Sequence, residues 1–280
     1  MSIFHFNGAR LAPVLALVAS AALGCGGSDE DGDGDATSSG APPTKETYVL
    51  VHGAFAGAWG WAGVTPLLEA EGHEVITLDL PAHGDDQTPI ADANLDSYTA
   101  AVVERVDAAG QPVILVGHSM GGQVISQVAE QRAAKVKKLV YVAAFLLPDG
   151  TSLLQGSGGD TESKLTMYIE QGEGGTASLA KEGIEGAFCT DCSPDQAAEV
   201  EAHLRPEPVS GFITPIETTA DGWGSVPRVY IETKQDAAVG PIKQKEMYTA
   251  LPCEKVLSID SGHCPFLTKP QELGEALMDL

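Results

Sequence analysis

Residues 112–122, P-V-I-L-V-G-H-S-M-G-G, constrain the fold of this chain more than any other stretch. Val113 to Val116 are four consecutive apolar, largely β-branched residues without the alternation of a strand that keeps one face in water, so they predict a short strand covered on both faces. Gly117-His118-Ser119-Met120-Gly121 then fits G-x-S-x-G, in which a serine sits on a sharp strand-to-helix turn with its hydroxyl pushed out over the sheet edge. Val124, Ile125, Val128 and Ala129 recur at spacings of three and four, so residues 123–132 predict a helix with one apolar face. Strand, tight turn and helix in that order make Ser119 a candidate nucleophile. The competing reading is a turn serine that only hydrogen-bonds locally.

The rest of the chain supplies a sheet for that strand. Further buried-type strands are expected at 47–52, 75–80, 138–145, 225–232 and 253–259, with helices at 95–109, from 241 and from 270. Trp59, Trp61, Val64, Leu67 and Leu68 trace a helical face after the first strand. Alternating strands and helices imply an α/β fold with a mostly parallel sheet, and such sheets hold their ligands where the strands' C-terminal ends meet the loops. Ser119, Asp236 and His263 all fall at such ends. A neutral serine needs an imidazole to take its proton and a buried carboxylate to fix the tautomer of that imidazole. His263 is therefore the expected base, since His118, just before the serine, should point away from it. Asp236 is the expected acid, with Asp260 and Asp221 as rivals. The His-Gly turn after the first strand leaves backbone N–H groups free, so the oxyanion donors should be Ala54 and Met120. Asp79 and His83 also fall at a strand's end and invite a catalytic role, but the stretch is read as a loop whose shape Asp79 and Gly84 set.

Strand and helix alternation lapses over 151–208. A Gly/Ser stretch at 155–159, a helix-like 162–171, the C-T-D-C at 189–192 and a helix from Ser193 to about Leu204 predict a small, mainly helical cap inserted after the 138–145 strand. The core is then 46–150 with 209–280. Met167, Tyr168 and Phe188 of the cap, with Phe55, Trp59 and Phe266 of the core loops, are the candidate pocket residues. Cys189 and Cys192 are a candidate disulfide; a zinc half-site would need a second cysteine pair or spaced histidines, and none stands out, so no metal is expected.

The N-terminus is of another kind. Arg10 precedes an apolar run, 11–23, that ends at Leu23-Gly24-Cys25-Gly26-Gly27, as in a secretory signal over 1–24. Its end resembles the bacterial lipoprotein box, with Ala22 where leucine is most usual, and implies an acylated Cys25. Residues 25–45 hold acids, Gly, Ser and Ala with no large apolar side chain, so they read as a tether. Gly26 is not the aspartate of an inner-membrane retention signal, which favours a lipid anchor in a bacterial outer membrane, with the enzyme periplasmic or facing the surface. The formal net charge is -23, and only five of the 39 acids lie in the tether. Such a chain is a poor partner for nucleic acids or anionic lipid surfaces, leaving the lipid anchor as the expected membrane contact.

L-V-H-G-A at 50–54, L-D-L-P-A-H-G at 78–84, G-H-S-M-G-G at 117–122 and G-H-C-P-F-L-T-K-P-Q-E-L at 262–273 resemble the α/β-hydrolase superfamily. The closer similarity is to the branch of plant methylesterases and hydroxynitrile lyases and their bacterial esterase relatives. C-S-P-D-Q-A at 192–197 and H-L-R-P-E-P at 203–208 resemble the cap of the bacterial members. The resemblance implies a cofactor-free serine hydrolase that cleaves small or medium carboxylic esters through Ser119, His263 and Asp236, with a homodimer also implied. Amide, lactone or thioester cleavage is the alternative, followed by cyanohydrin cleavage and by a binding protein on the same fold. The lyases of the branch have threonine where Gly53 stands, cysteine for Met120 and lysine for Cys264, so the three departures point to hydrolysis.

Overall fold

The computed structural model describes residues 45–280; the expected leader, Cys25 and nearly all of the tether lie outside them. In chain order the strands are β1 (Thr47–Val51), β2 (Glu74–Thr77), β3 (Val113–His118), β4 (Val136–Val142), β5 (Ile169–Gly172), β6 (Thr176–Leu179), β7 (Glu207–Pro208), β8 (Arg228–Thr233) and β9 (Lys255–Ile259). Six of them make one all-parallel sheet in the order β2-β1-β3-β4-β8-β9. Every residue of β1 and β3 is buried, whereas the edge strands β2 and β9 are partly exposed. That gradient explains why the central strands read as unbroken apolar runs while β9 alternates.

The chain turns back at β1. It runs outward from β1 to β2 through helix Thr65–Ala70, then crosses to β3 on the other side of β1 through helix Leu95–Ala108. Right-handed crossovers in opposite directions place their helices on opposite faces. Accordingly Leu95–Ala108 packs against Gly121–Arg132, and Thr65–Ala70 packs against Pro270–Met278. Asn94 caps Leu95–Ala108 by accepting the Ser97 N–H at 2.9 Å, with the Ser97 hydroxyl returning the bond to the Asn94 N–H. The reversal leaves a crevice beyond the C-terminal ends of β1 and β3, the position where open α/β sheets bind ligands.

The cap is mainly helical, as expected, but it also carries a small three-stranded antiparallel sheet. Residues 162–171 form only one short turn, Leu165–Met167, and then β5, which pairs antiparallel with β6; β6 pairs antiparallel with β7. Gly174 and Gly175 take φ of 69° and 76° in the hairpin connection, so a tight left-handed turn fixes the pairing and overrides the local helical period. Helices Pro194–His203, capped by Ser193, and Ser210–Ile213 complete the cap. Its base is closed by backbone bonds from Gly150 N–H to Ile216 and from Ile216 N–H to Thr151. Among the described residues no helix is long and apolar enough to cross a membrane.

The turn after β3 is the tightest approach in the sheet. A Cβ on Gly117 would lie 2.6 Å from the Gly121 carbonyl oxygen, and one on Gly121 would lie 2.8 Å from those of Val51 and His52. Only glycine lets helix Gly121–Arg132 sit this close to β1. Gly117→Ala should therefore lower the free energy of unfolding in urea by about 1–3 kcal/mol, the usual range for overpacking. Gly110→Ala, where a Cβ meets nothing within 4 Å, should be neutral or slightly stabilising. Equal midpoints for the two variants would show that the turn relaxes freely.

Candidate active site

Ser119 follows β3 at φ 52°, in the left-handed region that costs a residue with a Cβ about 1–3 kcal/mol. The surroundings enforce it. Its N–H donates to the Val142 carbonyl at 3.2 Å, and its own carbonyl accepts from Gly122 at 3.0 Å and Phe145 at 3.1 Å. The side chain is left at the N-terminal end of helix Gly121–Arg132, where the dipole favours negative charge.

Asp236, just after β8, and His263, just after β9, meet at the C-terminal end of the sheet in which β3 leads into Ser119. His263 Nδ1 is 2.8 Å from Asp236 Oδ2, with both side chains buried. The carboxylate is fully engaged: Oδ1 accepts the N–H groups of Ala238 and Val239, each at 2.8 Å, and Oδ2 also accepts the Thr233 hydroxyl at 2.8 Å and Gln244 Nε2 at 3.1 Å. A carboxylate accepts, so His263 carries its proton on Nδ1 and keeps a lone pair on Nε2. Asp260 is exposed and binds Gln235, and Asp221 is exposed; neither reaches the imidazole. Gln244 and Thr233, which no motif in the sequence marks, complete this carboxylate's shell.

The remaining histidines are sorted by their partners. His118 packs tilted against His263 with ring centroids 4.6 Å apart and directs Nε2 to the His263 carbonyl at 2.8 Å, so it braces the expected base from behind. His52 directs Nδ1 to the Gly53 carbonyl at 2.8 Å, and its Nε2 accepts the Leu80 N–H at 3.0 Å. The Gly53 carbonyl belongs to the same trans peptide as the Ala54 N–H, so His52 aims that N–H the opposite way. Among the described residues neither the Ala54 nor the Met120 N–H finds a protein acceptor, and both residues border the same cavity as Ser119. Asp79 holds its loop, accepting Ala58 N–H at 2.7 Å and Asp85 N–H at 3.0 Å, as its sequence position suggested.

That cavity has a volume of about 370 Å³. Ala54, Phe55, Met120 and Phe145 line it from the core, and Leu153, Leu165, Ile169, Ala177 and Phe212 from the cap and its base. Of the six expected pocket residues, Phe55 alone lies in its wall. Met167 is 72% exposed, because the single turn 165–167 directs its neighbours Leu165 and Thr166 inward instead. Tyr168 lies against Gly183 and Gly186 within the cap. Phe188 meets the His263 ring edge-on at 5.7 Å, and Phe266 meets the His118 ring at 4.8 Å, so both pack against histidines and neither lines the cavity. Trp59 lies 5.3 Å from His203, on the outer side of its loop. Cys189 is bonded to Cys192, Cys253 and Cys264 are free thiols, and no cluster that could hold a metal ion occurs among the described residues.

Burial, and then the neighbouring His83, pushes His52 down to about 3; burial, and then His263, pushes His118 well below the ordinary imidazole range. Both stay neutral in the folded protein while an unfolded imidazole takes up a proton near pH 6.5. Between pH 6.5 and about 3 the unfolded chain thus binds more protons at these sites, and stability falls as pH falls, by about 1.4 kcal/mol per pH unit for each. Urea unfolding at pH 6.5 and 5.0 should show this acid loss, and His52→Gln should reduce the slope by about one proton. A flat profile over that interval would mean that the two rings take up protons without unfolding.

Residues 48–276 match the alpha/beta hydrolase family. Methylesterase 9 of Arabidopsis thaliana is 30% identical, the match covering 83% of this chain and 97% of the relative. An alpha-hydroxynitrile lyase of the same plant is 34% identical, over 83% and 96%. The crystal structure of polyneuridine aldehyde esterase superposes with a TM-score of 0.75 at 24% identity, over 84% of this chain and 99% of that one. With its parallel sheet, its serine turn after β3 and a family match across nearly all the described residues, the chain belongs to the alpha/beta hydrolase family.

Proposed function

We propose that this enzyme hydrolyses small to medium carboxylic esters through an acyl-enzyme formed on Ser119. The observation that carries the proposal is the 2.8 Å His263–Asp236 pair at the same end of the sheet as a serine held on a strained turn at an apolar cavity. His263 Nε2 takes the Ser119 hydroxyl proton as Oγ attacks the ester carbonyl. The Ala54 and Met120 N–H groups receive the oxyanion. The tetrahedral adduct collapses as His263 passes the proton to the departing alkoxide; water then enters by the same route and releases the acid. Asp236 stays ionised and holds the imidazolium that forms in each half.

Gly53 favours hydrolysis over cyanohydrin cleavage despite the 34% identity to a hydroxynitrile lyase. A Cβ there would lie 2.7 Å from Ser119 Cβ and 3.0 Å from His118 Nδ1, so the threonine of the lyase pattern has no room unless the serine turn shifts. Amides, lactones and thioesters use the same groups, and the cavity wall decides among them.

Ser119→Ala should lower turnover of a p-nitrophenyl ester series by several orders of magnitude with the fold intact. Asp236→Asn should cost about 10³–10⁴-fold, whereas Asp260→Asn should stay near wild type. More than a tenth of the activity in S119A, or the reverse ranking of the two aspartates, would overturn the assignment.

The proposed setting is a cell envelope, with residues 1–24 removed, Cys25 lipid-modified and 25–45 as the tether between the lipid and the folded core. The apolar leader ending at Gly24 and the acidic, Gly-rich segment after it support this, and a Cys189–Cys192 bond is at home in an oxidising compartment. Cys25→Ser, expressed in a host with lipoprotein machinery, should move the enzyme from the membrane fraction to the soluble one. An unmodified Cys25 on mass spectrometry of the native protein would refute the anchor.

A further inference from the structure

A buried charged cluster lies outside the Ser119, His263 and Asp236 set. Glu207, on β7 of the cap, has no exposed surface. Its Oε1 accepts the Tyr98 hydroxyl at 3.0 Å; its Oε2 accepts the Phe55 N–H at 3.0 Å and lies 2.6 Å from His83 Nε2. His83 Nδ1 in turn faces the Pro81 carbonyl at 3.0 Å. Both ring nitrogens therefore face acceptors, an arrangement that favours a hydrogen on each and so the charged form of His83 against Glu207. Burial opposes that charge, but the carboxylate outweighs it and holds the ring above its ordinary range.

Phe55 is where this cluster touches the chemistry. It follows Ala54 and has φ 66°, a left-handed conformation that persists only where the surroundings impose it. The cap imposes it from both sides. Glu207 takes the Phe55 N–H, and the Arg205 N–H donates to the Phe55 carbonyl at 2.9 Å. On the other side of Ala54, His52 holds the Gly53 carbonyl. Ala54 is thus fixed between a clamp from the core and a clamp from the cap.

We propose that Glu207 is a positioning residue for transition-state stabilisation: by accepting the Phe55 N–H, its carboxylate keeps the Ala54 N–H aimed at the oxyanion formed above Ser119. The inference rests on the ester-hydrolase reading of the same site. What matters is the acceptor, not the charge. Glu207→Gln can still offer an oxygen to Phe55, whereas Glu207→Met fills the volume and offers none.

The test uses the full chain and an activated ester, with active sites counted by an organophosphorus titrant so that unfolded enzyme does not enter kcat. E207M should lower kcat about 10- to 100-fold with KM within about threefold. It should also weaken an alkylboronic acid, whose boron bonds Ser119 Oγ in a tetrahedral adduct, by a similar factor, while inhibition by the product acid is unchanged. E207Q should keep kcat within about threefold of wild type. A residue that only supports the fold would lower the midpoint of thermal unfolding and the titrated fraction but leave kcat per site alone. Wild-type kcat in E207M, or equal losses for boronate and product acid, overturns the assignment. If E207M does not fold, E207Q still decides: a tenfold loss of kcat per site would show that the charge rather than the acceptor is needed. An active S119A overturns the ester reading itself, whereas an inactive S119A with unchanged E207M overturns only the role given to Glu207.

Discussion

One backbone approach underlies the whole site: helix Gly121–Arg132 starts so close to β1 that a Cβ on Gly121 would meet the carbonyl oxygens of Val51 and His52. Because the helix begins there, Ser119 must turn out of β3 within a single left-handed residue. Because β1 is the neighbour at the crevice, the turn after it brings Ala54 alongside Met120. Strand order brings Ala54, Met120 and Ser119 to one cavity, and the His52 side chain then holds the Gly53–Ala54 peptide in its orientation. The strain at Ser119 is offset by the all-parallel, fully buried strands around it, which can bend the chain at one point without losing their ladders.

Four buried histidines lie near this point, and their partners give each a different state. His52 and His118 each face one carbonyl and are neutral; His83 faces a carbonyl and a carboxylate, which favour its charged form; His263 faces a carboxylate with one nitrogen only. Neutrality of His118 suits its place 4.6 Å from the His263 ring, since a second cation there would oppose the imidazolium that the proposed acyl transfer forms on His263. Proton traffic is thereby confined to one ring. The others serve as fixed donors and acceptors for backbone groups, a use that needs burial rather than exposure.

The core was legible in the sequence because its signals are local. An apolar run, a glycine pair about a serine, and an aspartate or histidine just past a strand each lie within a few residues, and the six parallel strands stand where those runs lie, with ends shifted by at most three residues. The cap was not legible to the same degree. Residues 162–171 have a helical spacing, yet β5 is held by β6 across the Gly174-Gly175 turn, and the sequence does not say which of the two wins. The pocket followed the same error, since a helix would have turned Met167 inward where the actual turn presents Leu165 and Thr166. Glu207 carried no signal at all. Its partners His83, Tyr98 and Phe55 are distant in sequence, and an acid in an acidic chain looks like surface until its burial is known.

Cap and chemistry meet at one cross-strand pair of the cap's small sheet. Ala177 of β6, in the cavity wall, pairs directly with Glu207 of β7, which holds Phe55 beside Ala54. A substrate group that presses on β6 therefore bears on the same ladder that fixes the oxyanion turn. Binding energy from a part of the ester remote from the carbonyl can reach the transition state by this route, whereas a cap that only closed the cavity would improve binding of substrate and transition state alike. Selectivity in such an arrangement is expressed in kcat as well as KM. Because an apolar wall distinguishes neighbouring chain lengths by only about 1–3 kcal/mol, a contribution from the oxyanion turn would widen the discrimination beyond what the wall supplies alone.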